Sequence, residues 1–417
     1  MMYFNTKKEN CTGCTACMSV CPKKSITMKR DEEGFLYPVA SDECIKCGKC
    51  EKVCPIVNGK KISTSFSKRA YAALAYNKEV WRSSASGGAF SEICKAYADD
   101  HTLICGATWN GLFVEHSCVE GVDSISAFRK SKYVESNLRN CFSELKKHLD
   151  ADGKAIFSGS PCQVAGLRAF LGKDYEKLLL VDLICHGVGS QEVFLKCMNA
   201  IEKQFHGKIE KYEFRAKRKK HESNHIQKRS IASKELYVRN DQYIQLFLNQ
   251  TCLRPSCGAN CRFRDENRQG DITIADFKGL TYVFPDLLGS KYNYSTIVIN
   301  SAKGNELLGR LYSNMEMREC DIEDIKKYNP LFFRQTIVSE DRKKFFEDFI
   351  SNPENSIDRW TEPAQIAKES IKRKIYNSLP SIIRRYVMKI IGGAITSEYE
   401  GCSLSKIILK EEEKYAI

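Results

Sequence analysis

Two runs of cysteine near the start of the chain carry the strongest chemical signal. Cys11, Cys14, Cys17 and Cys21 are followed by Pro22, and Cys44, Cys47, Cys50 and Cys54 by Pro55. Both read C-x2-C-x2-C-x3-C-P, one pattern used twice. Three thiolates at i, i+3 and i+6 on a tight loop reach three irons of one cube, and the fourth, just before proline, points to the other cube. Cys11, Cys14, Cys17 and Cys54 are therefore expected around one 4Fe–4S cluster, and Cys44, Cys47, Cys50 and Cys21 around a second. Gly13 and Gly48 let the backbone wrap closely. A segment this short has little apolar core of its own, so the clusters serve as one. Structural zinc needs a longer gap inside each site, often with histidine. Here the third cysteine follows too soon, and the first histidine is His101.

A second group lies downstream, with Cys252, Cys257 and Cys261 inside ten residues. Proline and glycine between them make a loop-borne metal site, one ligand short of a cube. Buried free thiols are the plain alternative. The elements that position the missing ligand are legible. Residues 155–157 read as a strand, Gly159-Ser160-Pro161 as a turn, and 162–171 as a helix with Pro161 at its first position. Residues 177–184 read as an apolar strand, Cys185-His186-Gly187 as a turn, and 191–205 as a helix. Strand–helix repeats of this kind give parallel neighbours. Both turns then lie at the carboxyl edge of the sheet, where such sheets bind ligands. Cys162, Gln163, Cys185 and His186 converge there, and either Cys162 or Cys185 completes the three-thiolate site. His186 reads either as a proton-transfer group or as a hydrogen-bonded structural histidine.

Other stretches are weaker. Residues 83–90 open a helical stretch that runs through Tyr97, with amides suited to an anion or merely a serine cap. Residues 187–190 lack the third glycine of a dinucleotide fingerprint. Residues 166–174 have the wrong glycine spacing for a P-loop and Asp174 where Ser or Thr is needed. Neither NTP hydrolysis nor a standard NAD fold is expected. Residues 271–277 and 295–300 read as strands, the latter followed by a helix to about Met317.

The 417 residues allow two to four domains at about 100–200 residues each. Apolar residues make up 42%, aromatics 10%, and mean hydropathy is −0.40, which suits a soluble globular chain and excludes a disordered one. The start carries no apolar leader, and no stretch reaches the roughly 18 apolar residues of a membrane helix. A cytoplasmic, reducing setting is expected, in which the 20 cysteines serve metals or catalysis rather than disulfides. The net charge of +13 omits the negative charge of metal-bound thiolates. Its basic residues spread between a run at 215–220, Lys228, Arg229 and a basic tail, so no nucleic acid is expected as partner. In that tail, apolar residues recur at helical spacing around Ile371 and 382–391. This reads as a helix packing on its own domain, with peripheral membrane contact as the alternative.

Six ordered segments carry a resemblance: Ser83-Ser-Ala-Ser-Gly-Gly88, Lys130-Ser-Lys-Tyr-Val-Glu-Ser136, Gly159-Ser-Pro-Cys-Gln-Val-Ala-Gly-Leu167, Asp182-Leu-Ile-Cys-His-Gly187, Cys252-Leu-Arg-Pro-Ser-Cys257 and Asp271-Ile-Thr-Ile-Ala-Asp-Phe277. With them the chain resembles the family of coenzyme F420 hydrogenase/dehydrogenase beta subunits, in the form fused to a two-cluster ferredoxin domain. It departs from the family in three places. Cys257 and Cys261 are spaced C-x3-C rather than C-x2-C, Lys278 stands where a Trp is frequent, and the residues after Phe214-Arg-Ala-Lys217 run basic, with His221 and His225.

The resemblance implies a mixed-sheet α/β fold: a two-cluster ferredoxin domain at 1–60, a linker at 61–70, a flavin-binding domain in two parts (71–150 and 151–350), and a basic helical tail at 351–417. It implies a flavin, usually FAD, beside a third 4Fe–4S cluster. Ser83, Ser84, Ser86, Gly87, Gly88, Lys132 and Tyr133 are the implied flavin contacts. Gly159, Ser160, Pro161, Gln163, Cys185 and Gly187 are implied at the flavin–cluster edge. The expected activity is an oxidoreductase whose flavin exchanges a hydride with a small molecule or a deazaflavin-like coenzyme, fed by an electron-donor protein such as a ferredoxin. Some relatives are encoded with surface-polysaccharide genes. The competing readings are a non-catalytic electron-transfer subunit and a basic, zinc-bearing nucleic-acid binder.

Overall fold

The computed structural model describes residues 7–59, 66–217, 227–231, 234–258, 261–334, 339–366, 379–380, 382–384 and 387. The cysteine repeat is also a backbone repeat. Gly13 and Thr15 take positive φ in the first loop, and Lys46 and Gly48 do so 33 residues later. Each loop then enters a short helix, Ala16–Val20 or Lys49–Lys52. Between them, β1 (Ile26–Arg30) and β2 (Leu36–Ala40) form a hairpin in which Ile26 faces Ala40.

The rest is built on one large sheet. Its strands are β3 (Arg69–Ala75), β4 (Leu103–Asn110), β5 (Phe113–Glu120), β6 (Ala155–Ser158) and β7 (Leu178–Leu183). The next three, β8 (Ile209–Glu213), β9 (Gln227–Ile231) and β10 (Lys234–Arg239), belong elsewhere, and β11 (Ile272–Asp276), β12 (Ser295–Ile299) and β13 (Met315–Cys320) complete it. The order is β13-β3-β12-β11-β7-β6-β4-β5. The central run β4-β6-β7-β11 is parallel, and antiparallel strands flank it on both sides. A second, antiparallel sheet runs β14-β10-β9-β8, with β14 at Gln365–Ile366.

The apolar central strands follow from burial on both faces. Ile104, Ile156, Leu179 and Val181 point to one core, which the helix Ala89–Tyr97 and Leu311 complete. Leu103, Cys105, Ala155, Phe157, Leu178 and Leu180 alternate to the other core, under the helices Cys141–Asp150 and Pro161–Leu171. The helix Pro161–Leu171 and its neighbour Gln191–Phe205 stand where the sequence puts them, and β6 and β7 are parallel as expected.

Three details differ from the sequence reading. The helix expected from residue 83 begins only at Ala89, because Gly88 takes φ +99° and residues 83–88 turn. The chain after β12 does not stay helical to Met317. The helix Leu308–Asn314 ends and Met317 lies in β13, paired with Ala73. The run at 215–220 is not uniformly a surface feature, since Arg215 at its start is buried against Asp276. Residues 218–220, His221 and His225 lie outside the described residues, as do 61–65 of the linker and most of the tail, including Ile371 and 388–417. Among the described residues no helix is long and apolar enough to cross a membrane.

The cysteine-repeat region docks through a buried arginine. Arg254 Nε donates to the carbonyl of Cys11 at 2.7 Å, Nη2 donates to that of Leu36 at 3.0 Å, and Nη1 pairs with Glu135. Glu135 in turn accepts the amide of Leu36 at 2.8 Å. Arg342 pairs with Glu33, and Arg262 donates to the carbonyl of Ile56.

Candidate functional site

The two N-terminal ligand sets assemble crosswise. Cys21 lines a cavity of about 690 Å³ with Cys44, Cys47 and Cys50. Cys11, Cys14 and Cys54 are close enough to Cys17 that each would raise its pKa. Burial drives Cys14 up to about 12 and Cys17 further, with neighbouring thiols adding to the shift. Thiols held dry and close cannot ionise together without a cation among them. Both sets therefore fit thiolate-ligated iron. The Cys21 set lies nearer water. Cys47 is exposed, and the Cys21 sulfur sits 3.3 Å from the Ser25 hydroxyl.

A second cavity, of about 620 Å³, opens at the carboxyl edge of β6 and β7. Cys162, Cys185, Cys257 and Cys261 line it, with Thr12 and Gly13 from the first cysteine loop and Arg264 and Arg268 from the loop before β11. The local sequence explains each position. Ser160 caps the helix, and Gln163 accepts from the Ser160 amide at 2.9 Å, so Cys162 sits in the first turn facing the edge. Cys185 follows β7, where Arg264 and Arg268 donate to the carbonyls of Cys185, His186 and Leu183. Asp182 anchors that loop by accepting the amides of Gln269 and Gly270 at 3.1 Å. Gly187, at φ +133°, has no room for a side chain, since a Cβ would stand 2.9 Å from Leu253 and 3.1 Å from Cys257. Burial pushes the Cys162 and Cys185 thiols up and Cys257 up to about 12.

Both candidates for the missing ligand, Cys162 and Cys185, are in this cavity, and so is Cys261 despite its C-x3-C spacing. Cys252 is not. It is fully buried in the core around Cys197 and Tyr243. The turn at Thr251–Cys252 puts the Cys252 thiol in that core, and Leu253, buried in the same core, also packs against Gly187.

Beside the cavity lies a cationic lobe. Lys132 Nζ donates to the carbonyls of Phe128 at 3.3 Å and Arg129 at 2.9 Å. Lys217 Nζ donates to those of Trp81 at 2.6 Å and Ser86 at 2.7 Å. Among the described residues neither has a carboxylate within ion-pair distance. Burial brings Lys132 down to about 7, and burial together with Arg215 brings Lys217 down to about 6. Arg129 Nη1 donates to the Ser83 hydroxyl at 2.7 Å. Tyr133 stacks on Phe247 at 4.8 Å, and His186 meets the same ring at 5.0 Å. His186 Nε2 lies 3.3 Å from the Phe247 carbonyl, which fixes it as the donor. Burial and the Arg264 charge lower its pKa to about 4, so the ring is neutral at physiological pH. The other residues of 83–88 are tied into the sheet. Ser86 donates to the Tyr294 carbonyl, and the Gly87 amide donates to Ser295.

Residues 152–325 match the family described as the C terminus of the coenzyme F420 hydrogenase/dehydrogenase beta subunit. Residues 10–57 match the 4Fe-4S dicluster domain. The chain thus joins a stretch similar to the C-terminal part of coenzyme F420 hydrogenase/dehydrogenase beta subunits to a 4Fe-4S dicluster domain. It is 26% identical to the F subunit of the F420H2 dehydrogenase of Methanosarcina mazei over 187 residues, 42% of this chain and 53% of that protein. It is 38% identical to an uncharacterized ferredoxin of Methanocaldococcus jannaschii over 48 residues, 12% of this chain and 62% of that one. The chain thus spans between half and two thirds of the length of these curated relatives. A chain of the F420-reducing NiFe hydrogenase complex from Methanosarcina barkeri aligns with a TM-score of 0.43 at 17% identity, covering 72% of this chain and 93% of that chain.

Several residues of the beta-subunit domain that shape the site escaped the sequence reading. Arg264, Arg268 and Phe247 lie outside the quoted segments, and Glu135, inside Lys130–Ser136, acts through its contacts with Arg254 and Leu36. The one hint was Arg264 and Arg268 following the last cysteine of the group. The dicluster domain meets the cavity through an apolar contact of Ile56, Ala165 and Phe263, on which Cys54, Cys162 and Cys261 all pack.

Proposed function

We propose that the chain is an iron–sulfur flavoprotein oxidoreductase that links single-electron carriers to two-electron chemistry on a small molecule or a deazaflavin-like coenzyme. One observation carries this reading: the sulfurs of Cys162, Cys185, Cys257 and Cys261 share one cavity with Thr12 and Gly13 of the dicluster domain. These four cysteines are the ligand set for a third cluster, and Cys252 is left out of it. When bound, the clusters carry single electrons and a flavin exchanges them for a hydride. Lys132, Lys217 and Arg129 fit the anionic part of such a cofactor, because they are half-buried basic groups held by carbonyls and a hydroxyl, and a bound anion would favour the charged lysines. Arg264 and Arg268 offset the negative charge of the thiolate set. His186, neutral and donating from Nε2, presents Nδ1 as an acceptor rather than supplying a proton.

Anaerobic purification with metal, sulfide and flavin analysis tests the reading. About twelve iron atoms, as many sulfides and one flavin per chain are expected. Zinc in place of iron, or iron without flavin, overturns it. A second reading, an electron-transfer subunit within a larger complex, is favoured by the exposed Cys47 loop, which is open to a protein donor. Turnover of a deazaflavin by the isolated chain with dithionite supports the first reading, and turnover only with added partner proteins supports the second.

A further inference from the structure

A third group of cysteines belongs to neither cavity. Cys105 lies on β4, Cys118 stands directly opposite it on β5, and Cys141 opens the helix Cys141–Asp150. Their sulfurs all lie within 4.8 Å of one another, and those of Cys118 and Cys141 are 3.1 Å apart. Cys105 and Cys141 are buried, and Cys118 is half-buried. No local spacing joins them, so the fold alone creates the group.

A single core cysteine is usually a small hydrophobe. Three that turn their sulfurs to one point gain little from each other, because S–H is a weak donor and sulfur a weak acceptor. The arrangement does match part-filled coordination of a thiophilic ion. Zinc–sulfur bonds of about 2.3 Å in a tetrahedron set sulfurs about 3.8 Å apart, inside the spacing these three keep. The location has a structural use. Strand β5 is the last strand of the sheet, and among the described residues its free side meets only an isolated bridge of Glu115 with Asn137, so an ion here would fasten that edge to the helix covering it.

We propose that Cys105, Cys118 and Cys141 bind a thiophilic divalent cation, zinc in the ordinary case, as a cross-link between the sheet edge and the helix Cys141–Asp150. Binding exchanges the thiol protons for the ion, with no redox change. The fourth position lies on the open side beside Cys118. Water fills it, or Glu144 does, one turn along the helix from Cys141. The site is independent of the redox role proposed above.

The test uses the full-length chain, purified anaerobically with its clusters, dialysed against zinc and then against a mild chelator. One zinc per chain is expected to remain, with three sulfur neighbours at about 2.3 Å by zinc-edge X-ray absorption. Cys118→Ser and Cys141→Ser should each lose that zinc while iron content is unchanged. If Cys141→Ser also loses iron through misfolding, the comparison rests on the half-buried Cys118→Ser. No zinc in the wild type, equal zinc in wild type and Cys118→Ser, or a Cys118–Cys141 disulfide in the anaerobic protein each overturns the proposal.

Discussion

Replacing Arg254 by Met probes how the dicluster domain is held. Met keeps much of the volume and the contact with the Tyr37 ring, whose centroid lies 4.2 Å from the guanidinium. It removes the charge and leaves three acceptors behind: the carbonyls of Cys11 and Leu36, and the Glu135 carboxylate. Breaking a buried ion pair from one side costs about 3–5 kcal/mol, and an orphaned buried carbonyl about 1–3. Protonation of Glu135 relieves part of this, since burial already raises its pKa against the pull of Arg254. The net expectation is a loss of about 4 kcal/mol, or about a thousandfold in the docking equilibrium. A carboxyl whose folded pKa is raised contributes its stability below the unfolded value and loses it as pH rises through the folded value. The Arg254→Met penalty should therefore shrink on acidification. The assay is anaerobic urea denaturation followed by visible circular dichroism of the clusters, at two pH values. The double variant with Glu135→Gln should recover about 2 kcal/mol, because it removes the buried carboxylate that is otherwise left with only the more exposed Arg30 at 3.6 Å. A single-variant cost below about 1 kcal/mol, or no recovery in the double variant, refutes the clamp.

Other perturbations read other parts of the site. Gly166→Ala should raise helix stability by about 1 kcal/mol on propensity alone. Here its Cβ would stand 2.7 Å from Cys14 Cβ and 2.8 Å from Cys14 Sγ, so loss of about a third of the bound iron is expected instead. Unchanged iron with a higher melting temperature would contradict this. Cys54→Ser should remove the cluster of Cys11, Cys14 and Cys17, and Cys21→Ser that of Cys44, Cys47 and Cys50. Electron paramagnetic resonance of the reduced proteins distinguishes them, and the reverse pattern sinks the crossed assignment. Lys132 and Lys217 lose charge above about 7 and about 6, whereas a bound anion favours the charged forms. Flavin or pyrophosphate binding should then take up protons and weaken by up to about tenfold per pH unit per lysine between pH 7 and 9. Calorimetry in buffers of different ionisation heat measures the uptake, and a pH-independent affinity refutes it.

How much the sequence revealed varied with the range of the interaction. The cysteine runs were legible because their ligands are local, and the helices after β6 and β7 because Pro161 and the apolar runs mark their limits. The shared carboxyl edge followed from parallel connection alone, which is why Cys162 and Cys185 could be placed together without knowledge of the fold. The direction of Cys252 was not legible, since the turn that carries it is set by packing against Cys197 and Tyr243, which are distant in sequence or in another element. Arg215 was read as part of a basic run, but its partner Asp276 comes from a strand 61 residues later. The cysteines on β4, β5 and the helix Cys141–Asp150 share no spacing at all. Only the antiparallel register of β4 with β5 and the packing of that helix bring them together.

The helix Pro161–Leu171 explains why the dicluster domain sits at this edge and no other. Cys162 and Gly166 are one turn apart on the same face, about 6 Å along the axis. Cys162 lines the cavity at the sheet edge, while Gly166 leaves the gap into which Cys14 fits. A longer side chain at 166 would leave Cys162 in place yet hold the first ligand set, with the Thr12 and Gly13 part of the cavity wall, away from it. Ala165, on the same helix, completes the apolar contact with Ile56 and Phe263 that carries Cys54 to the neighbourhood of Cys162 and Cys261. One helical turn thus fixes both the ligand of one site and the approach of the other. A change at Gly166 would therefore move Thr12 and Gly13 of the cavity wall along with Cys14, which makes the spacing between the two thiol sets depend on this helix.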